Sequence, residues 1–461
     1  MSRRPTRFVL VGTFAAIYVA ACAGLMVSDL GTGIAVGIAP IVIYLMLAKS
    51  WARSMVIILG GLFVLGAGSD ISASKVIYAA LILLACAIAT YRLVTNPPSW
   101  ISTFKPLIGV GVVLVGAMVI ASLVSPNPAS AETLARQAIF YLLVPAAPLV
   151  GLDAGRDLKP RVVYLIIAVV GTVAAIGFAT DWLSRRGVSS LDVGRFVLSS
   201  LILPAFCFAL ALVQLACARG MARKLLWLMP TILIPIAMLV TGTRTNLIVL
   251  LAIFGVTGAT RLHRVRLGQI IFIVTIVAGI GLLLFPIVAN AVLSRPDFIQ
   301  QRLAAAVQVL NGNTAEDQSF SGRSLQYSIA VDLIAKSPLF GYGPGFQAGQ
   351  TLDTPLLTVA KLGILGTAVL AAFLITCVVV IMKSGKKYGY SVAHTASRGL
   401  VLVFLANIPF GTPIEDRGFG FTLILVFMAV SSEVQVRVFP VPQPPLLGSA
   451  LPRIEVETLL R

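Results

Sequence analysis

Apolar and polar positions along this chain alternate in long blocks rather than at the period of an amphipathic helix or a strand. Runs of roughly 20 apolar residues, each about 30 Å long as a helix, recur along its length. They lie at 8–27, 30–48, 55–69, 75–93, 105–125, 134–152, 161–180, 195–217, 224–242, 245–260, 267–291, 355–382, 399–413 and 418–435. A helix that is apolar on every side is buried in protein or in lipid. A bilayer core holds no water, so a spanning backbone must satisfy its own hydrogen bonds, and a helix does so within one segment. The pattern predicts an all-α polytopic membrane bundle of about 12–14 spans, the runs at 55–69 and 245–260 being short for a crossing. Composition agrees, with 58% hydrophobic and 11% charged residues, where soluble domains carry about 25% charged.

One interval interrupts the blocks. Residues 292–354 are polar and patterned, and they divide the chain into a bundle over 1–291, a loop over 292–354, further spans over 355–435 and a proline-rich tail over 436–461. Within the loop, "RPDFIQQRLAAAVQVLNG" (295–312) reads as a short helix capped by Asp297 and closed by Asn-Gly. Ser321 is placed to cap a second helix with Leu325, Ile329 and Leu333 on one face, stopped by Ser337-Pro338. "PLFGYGPGF" then supplies Gly341, Gly343 and Gly345 within five residues. Glycine permits positive φ and close backbone approach, as a tight turn against a ligand needs. Gly341, Tyr342 and Gly343 are therefore candidate substrate-binding positions.

Charge fixes an orientation. The formal net charge is +18, and most of the Lys and Arg gather in alternate connections: Arg3, Arg4 and Arg7; Lys49 and Arg53; Arg92 and Lys105; Arg156, Lys159 and Arg161; Arg219, Arg223 and Lys224; Arg261, Arg264 and Arg266; Lys383, Lys386, Lys387 and Arg398. By the positive-inside rule these sides and both termini are cytoplasmic, and the 292–354 loop faces outward. The excess charge thus reports topology and contact with anionic lipid, not nucleic-acid binding, which wants a soluble basic face. The rule leaves twelve unexplained: Lys75, Arg136, Arg185, Arg186, Arg195, Arg244, Arg295, Arg302, Arg323, Lys336, Lys361 and Arg417. At the outer membrane surface such residues want a partner or ligand, or they snorkel or pair with a nearby carboxylate. Cys22, Cys86, Cys207, Cys217 and Cys377 all fall within or at the end of apolar runs, with no metal or disulfide spacing. No metal and no cofactor is expected.

The stretch "SGRSLQYSIAVDLIAKSPLFGYGPGF", followed by "LLTVAKLGILGTAVL", resembles the periplasmic loop and following span of the O-antigen ligase and polysaccharide polymerase superfamily of bacterial inner-membrane glycosyltransferases. "LVTGTRTNLIVLL" (239–251) is similar to that superfamily's Thr-Gly-Ser-Arg turn. The likeness covers roughly 225–435, while the N-terminal half matches only as apolar spans. It implies a multi-pass protein of the bacterial inner membrane with a periplasmic active face. Its implied reaction is transfer of an undecaprenyl-pyrophosphate-linked glycan to a glycan or lipid-linked acceptor. Arginine suits a diphosphate because it is always protonated and donates bidentate hydrogen bonds. Fixed guanidinium groups stabilise the charge that builds on the leaving diphosphate. By position in the two motifs, Arg244 and Arg323 are the expected clamp, with Arg195, Arg302 and Arg136 as further substrate-binding candidates.

One position departs from the superfamily. Its ligases begin the span after the loop with a His-Asn pair, and the histidine is taken as the base. Counting back from Gly363 puts Leu352 and Asp353 in those two slots, and the only histidines, His263 and His394, fall in basic connections. Asp353 is the candidate base in its place, or else a helix cap. Where the superfamily has Glu two residues before the glycine, this chain has Lys361. The departure leaves a polymerase, a divergent ligase-like protein or an inactive homologue open. A flippase or transporter is the other class; it would want ionisable residues at mid-span and paired broken helices, whereas charges here gather at span ends and in one loop.

Overall fold

The computed structural model describes residues 30–64, 73–184, 202–240, 249–250, 253, 318–348, 352, 354–408, 411–416 and 418–439. Among them there are twelve α-helices, two short 3₁₀ turns and no strand. The helices are α1 (Leu30–Ala48), α2 (Ser50–Val64), α3 (Ala73–Thr95), α4 (Lys105–Leu123), α5 (Ala131–Asp157), α6 (Pro160–Ser184), α7 (Ile202–Cys217) and α8 (Met221–Val240). After them come α9 (Gln318–Lys336), α10 (Leu356–Tyr388), α11 (Val392–Asn407) and α12 (Phe419–Val438). Seven, α3, α4, α5, α6, α8, α10 and α12, are long and apolar enough to cross a membrane. The all-α membrane bundle is therefore as expected, while the runs at 8–27 and 267–291, the helix at 295–312 and the tail from 440 lie outside the described residues.

Two helices form the axis. The apolar stretches of α5 and α12 are 78% and 83% buried by protein, against 28% for α3 and α4. They run against each other because α5 presents Gly151 and Gly155 to α12: a Cβ on Gly151 would lie 2.6 Å from the Ile424 carbonyl oxygen, and one on Gly155 would strike the Met428 carbonyl. Small residues let backbones approach where lipid offers no hydrophobic drive between helices. Around this pair, α2 and α3 pack on α5, α7 packs on α6, α8 and α11, and α4 packs on α10. The faces of α4 and α10 that point outward carry Val112, Val113, Val119, Ile364, Ile375 and Met382, all exposed. They are lipid-facing surfaces.

Contacts sort the connections into two ends. At one, Arg53 pairs with Asp153, Arg92 reaches Asp153 and Asp157 at 3.1 Å each, and Ser50 bonds Asp157. Trp100 donates to Gln435 at 2.7 Å, and Arg437 donates to the carbonyls of Tyr388 and Tyr390 at 2.8 and 3.1 Å. This is the basic end predicted by the charge pattern. At the other end lie the 338–348 turn, the α4–α5 connection and the 3₁₀ turn Pro413–Glu415. The two expected locations that moved did so for local reasons. The predicted span at 399–413 forms earlier, as α11, because Ser391 and His394 close a capping box that starts the helix at Val392. His394 therefore sits in the first turn of a helix, not in a connection. Likewise α9 begins at Gln318, so Ser321 lies inside its first turn rather than capping it; Gln is a good helix former and extends the helix upstream.

Candidate functional site

The site grows from one break in α10. At Gly363 the backbone leaves the helix, with φ 66° and ψ 179°, a conformation essentially confined to glycine. Such a break frees backbone groups that a buried chain must satisfy elsewhere. The 338–343 turn satisfies them. Tyr342 and Gly343 donate their N–H groups to the Ala360 and Lys361 carbonyls at 2.9 and 2.7 Å, and Ile364 and Leu365 donate to Pro338 and Leu339 at 2.8 and 3.2 Å. Those are the groups that an unbroken helix would join to each other. The turn thus splints the gap with four hydrogen bonds.

Glycine is required on both sides of the splint. Gly341 has φ +68°, and a Cβ there would come 2.6 Å from the Ala360 and Lys361 carbonyl oxygens; a Cβ on Gly363 would collide with the Leu339 carbonyl. Gly343, at φ +81°, turns the chain against Ser122 of α4, and Ser125 donates to the Tyr342 carbonyl at 2.8 Å. The Tyr342 ring packs on Phe346, with centroids 4.5 Å apart, and both are nearly buried. The described partners of Gly341, Tyr342 and Gly343 are thus this chain's own residues: α10, α4, Ser125 in the connection after α4, and Ser337 and Phe346 of the turn itself.

Depth follows from helix arithmetic. From Lys383, at the basic end of α10, back to Gly363 is twenty residues, about 30 Å of helix and so about one hydrocarbon thickness. The break therefore stands about one hydrocarbon thickness from the basic end of α10. Just beyond it stands a buried polar cluster that the sequence did not reveal as a unit. Lys361 Nζ pairs with Glu415 Oε1 at 2.8 Å, with side chains 4% and 17% exposed. The Tyr141 hydroxyl of α5 donates to the same oxygen at 2.7 Å, and the ammonium lies 5.6 Å from the centre of the Tyr141 ring. Beside it, Asp416 accepts from the Gly418 N–H at 2.8 Å and the Ile202 N–H at 3.3 Å, and Thr412 donates to the Thr354 carbonyl at 3.2 Å. Lys361 carried a signal as a basic residue that topology does not explain; Glu415 and Tyr141 carried none.

The predicted site residues fall unevenly on this frame. Arg323 lies in the first turns of α9, the helix that leads through Ser337 directly into the splint and packs along α10. Arg136 lies near the start of α5, at the same end of the bundle. Both are described as backbone positions only. Arg195, Arg244, Arg302 and Asp353 lie outside the described residues, as does His263.

Comparison with known families adds the deciding observation: a family model described as O-antigen ligase matches residues 229–362. The match supports the O-antigen ligase and polymerase superfamily to which the two motifs pointed. Comparison with curated proteins gives no match. The matched segment opens within α8, contains the Arg244 motif and α9, and closes at Leu362, one residue before the break. Lys361 is inside it, whereas Tyr141 and Glu415 belong to the surrounding helices.

Proposed function

We propose that this protein transfers a glycan from an undecaprenyl-pyrophosphate-linked donor to a glycan or lipid-linked acceptor at the periplasmic face of the bacterial inner membrane, as a surface-polysaccharide polymerase or an O-antigen ligase-like enzyme. The observation that carries this reading is the O-antigen ligase match over residues 229–362, which run from α8 through α9 to the break in α10. A polyprenyl-linked diphosphate arrives from the bilayer at headgroup depth, and a site for it wants fixed cations there.

In this mechanism the diphosphate is held by Arg323 and Arg244, with Arg195, Arg302 and Arg136 as further anchoring positions. An acceptor hydroxyl attacks the anomeric carbon of the donor sugar while the bond to the diphosphate oxygen breaks. The electron pair stays on the leaving diphosphate, whose charge the guanidinium groups stabilise more strongly in the transition state than in the ground state. Asp353 takes the acceptor proton. The chemistry asks for no metal or cofactor, because the arginines supply the positive field. Purified protein in lipid nanodiscs, given a polyprenyl-diphosphate glycan and an acceptor, releases free polyprenyl diphosphate and forms a longer glycan. A ladder of products marks a polymerase and a single addition marks a ligase. An intact donor after prolonged incubation overturns the reading.

A further inference from the structure

The cluster behind the helix break has a use of its own. Lys361 faces two ways. Its side chain is held by Glu415, and through Glu415 by Tyr141, which ties it to the α11–α12 corner and to the central helix α5. Its carbonyl accepts the Gly343 N–H at 2.7 Å, inside the splint. The neighbouring carbonyl of Ala360 holds Tyr342, and the Pro338 and Leu339 carbonyls receive the N–H groups beyond the break. The seven residues of α10 before the break, 356–362, are therefore fixed at both edges. One edge is a buried ion pair to the bundle; the other is the turn that continues from α9.

We propose that Glu415, with Tyr141 behind it, is a positioning residue for glycan transfer: it holds Lys361, and through the Lys361 backbone it holds the turn that carries the α9 arm and Arg323. This rests on the glycan-transfer reading. The physical reason is that a buried ammonium tolerates few alternatives. Without a carboxylate it must seek other polar partners or water, and that movement shifts the helix segment whose carbonyls grip the turn. A break with φ 66° at its centre has little resistance of its own to such a movement. The ion pair also explains why the Lys361 side chain, placed among apolar spans, points inward rather than snorkelling out: Glu415 and the Tyr141 ring both favour a cation there.

The test reads the splint and the reaction separately. Hydrogen exchange is followed in full-length protein in nanodiscs over residues 338–346, which include the Tyr342 and Gly343 amides, and over 391–399 at the basic end as a control. In Glu415→Gln, exchange over 338–346 speeds by about tenfold or more while the control region stays as in wild type. Tyr141→Phe, which removes one hydroxyl and leaves the ion pair, gives a smaller increase in the same region. Transfer by Glu415→Gln falls mainly in kcat, because the donor still binds but Arg323 is poorly placed against the leaving diphosphate. The pair reversed in sense, Lys361→Glu with Glu415→Lys, regains slow exchange and part of the transfer rate. Unchanged exchange over 338–346 in Glu415→Gln overturns the proposal. Faster exchange with wild-type turnover also overturns the positioning role. Arg323→Ala, assayed alongside, keeps that failure distinct from failure of the glycan-transfer reading, since loss of transfer in it upholds the reading itself.

Discussion

The two ends of the bundle solve the same problem, polar groups at the edge of a membrane, by opposite means. At the basic end, side chains do the work: Arg53, Arg92, Asp153 and Asp157 pair across α2, α3 and α5, and His394 lies between Ser384 and Ser391 with its ring nitrogens 2.9 and 2.7 Å from their hydroxyls. Helices there remain whole to their ends. At the loop end the backbone itself is opened and re-joined, with a turn from elsewhere in the chain supplying the missing bonds. Side-chain networks lock helices in place. A splinted break instead makes the placement of one segment depend on another, which suits the role proposed for Arg323. On the proposed mechanism, the basic end serves stability and the loop end placement.

The largest effect that would sharpen this contrast concerns the loop end. Asp353→Asn keeps size and polarity but removes a proton acceptor, and loss of a general base costs about 10²–10⁴ in rate. If Asp353 only caps α10, Asn serves nearly as well, and near-wild-type turnover would remove Asp353 from the mechanism. Next come Arg323→Ala and Arg244→Ala, each expected to lower transfer by about 10²–10³ with normal protein level and membrane insertion. Lysine at either position recovers part of that, since it keeps the charge and loses the bidentate fork. Full activity in both alanine variants would make them structural residues and break the assignment of placement to this end.

Smaller effects follow from the backbone. Gly363→Ala forces a Cβ into a conformation that costs about 1–3 kcal/mol for other residues, and the Cβ also meets the Leu339 carbonyl. Transfer is expected to fall by roughly tenfold or more, together with faster proteolysis of the 338–348 turn. The smallest effect on catalysis belongs to the basic end. Asp153→Ala strands Arg53, whose side chain is fully buried, and breaking a buried pair costs about 3–5 kcal/mol of stability. The variant should unfold at lower temperature in detergent, yet folded protein should transfer glycan at the wild-type rate. A catalytic defect in the folded fraction would dissolve the division between the ends.

Much of the bundle was legible in the sequence because lipid asks only for length and apolarity. The run at 30–48 reappears as α1 with the same bounds, and among the described residues Arg53, Arg92 and Arg437 belong to one end, as the charge pattern requires. α11 was misplaced by about two turns because a capping box of two polar residues outweighs hydropathy in setting where a helix begins. The glycines of "PLFGYGPGF" announced positive φ and close approach, yet φ preference is a property of one residue and its partner is not. Nothing in the turn itself says that Ala360 and Lys361 will accept its N–H groups. Lys361 stood out as a cation against an apolar background. Its partner Glu415 lies 54 positions further along, in a corner whose geometry depends on α11 and α12 packing first, so the pair became visible only in three dimensions.

The splint also sets an order of assembly. Its four hydrogen bonds join residues only 18 to 26 positions apart, a short loop to close, and they need nothing beyond α9 and the first half of α10. The Lys361–Glu415 pair must wait for α11 and the 3₁₀ turn at Pro413–Glu415 to be made and inserted. During synthesis the backbone lock is therefore available before the ion pair, with Lys361 awaiting Glu415 in the interval. A chain ending after Tyr388 should already protect the Tyr342 and Gly343 amides from exchange, though less than the full-length protein. The hairpin of α11 and α12 then acts as a latch, tightening a joint that the nascent chain has already closed.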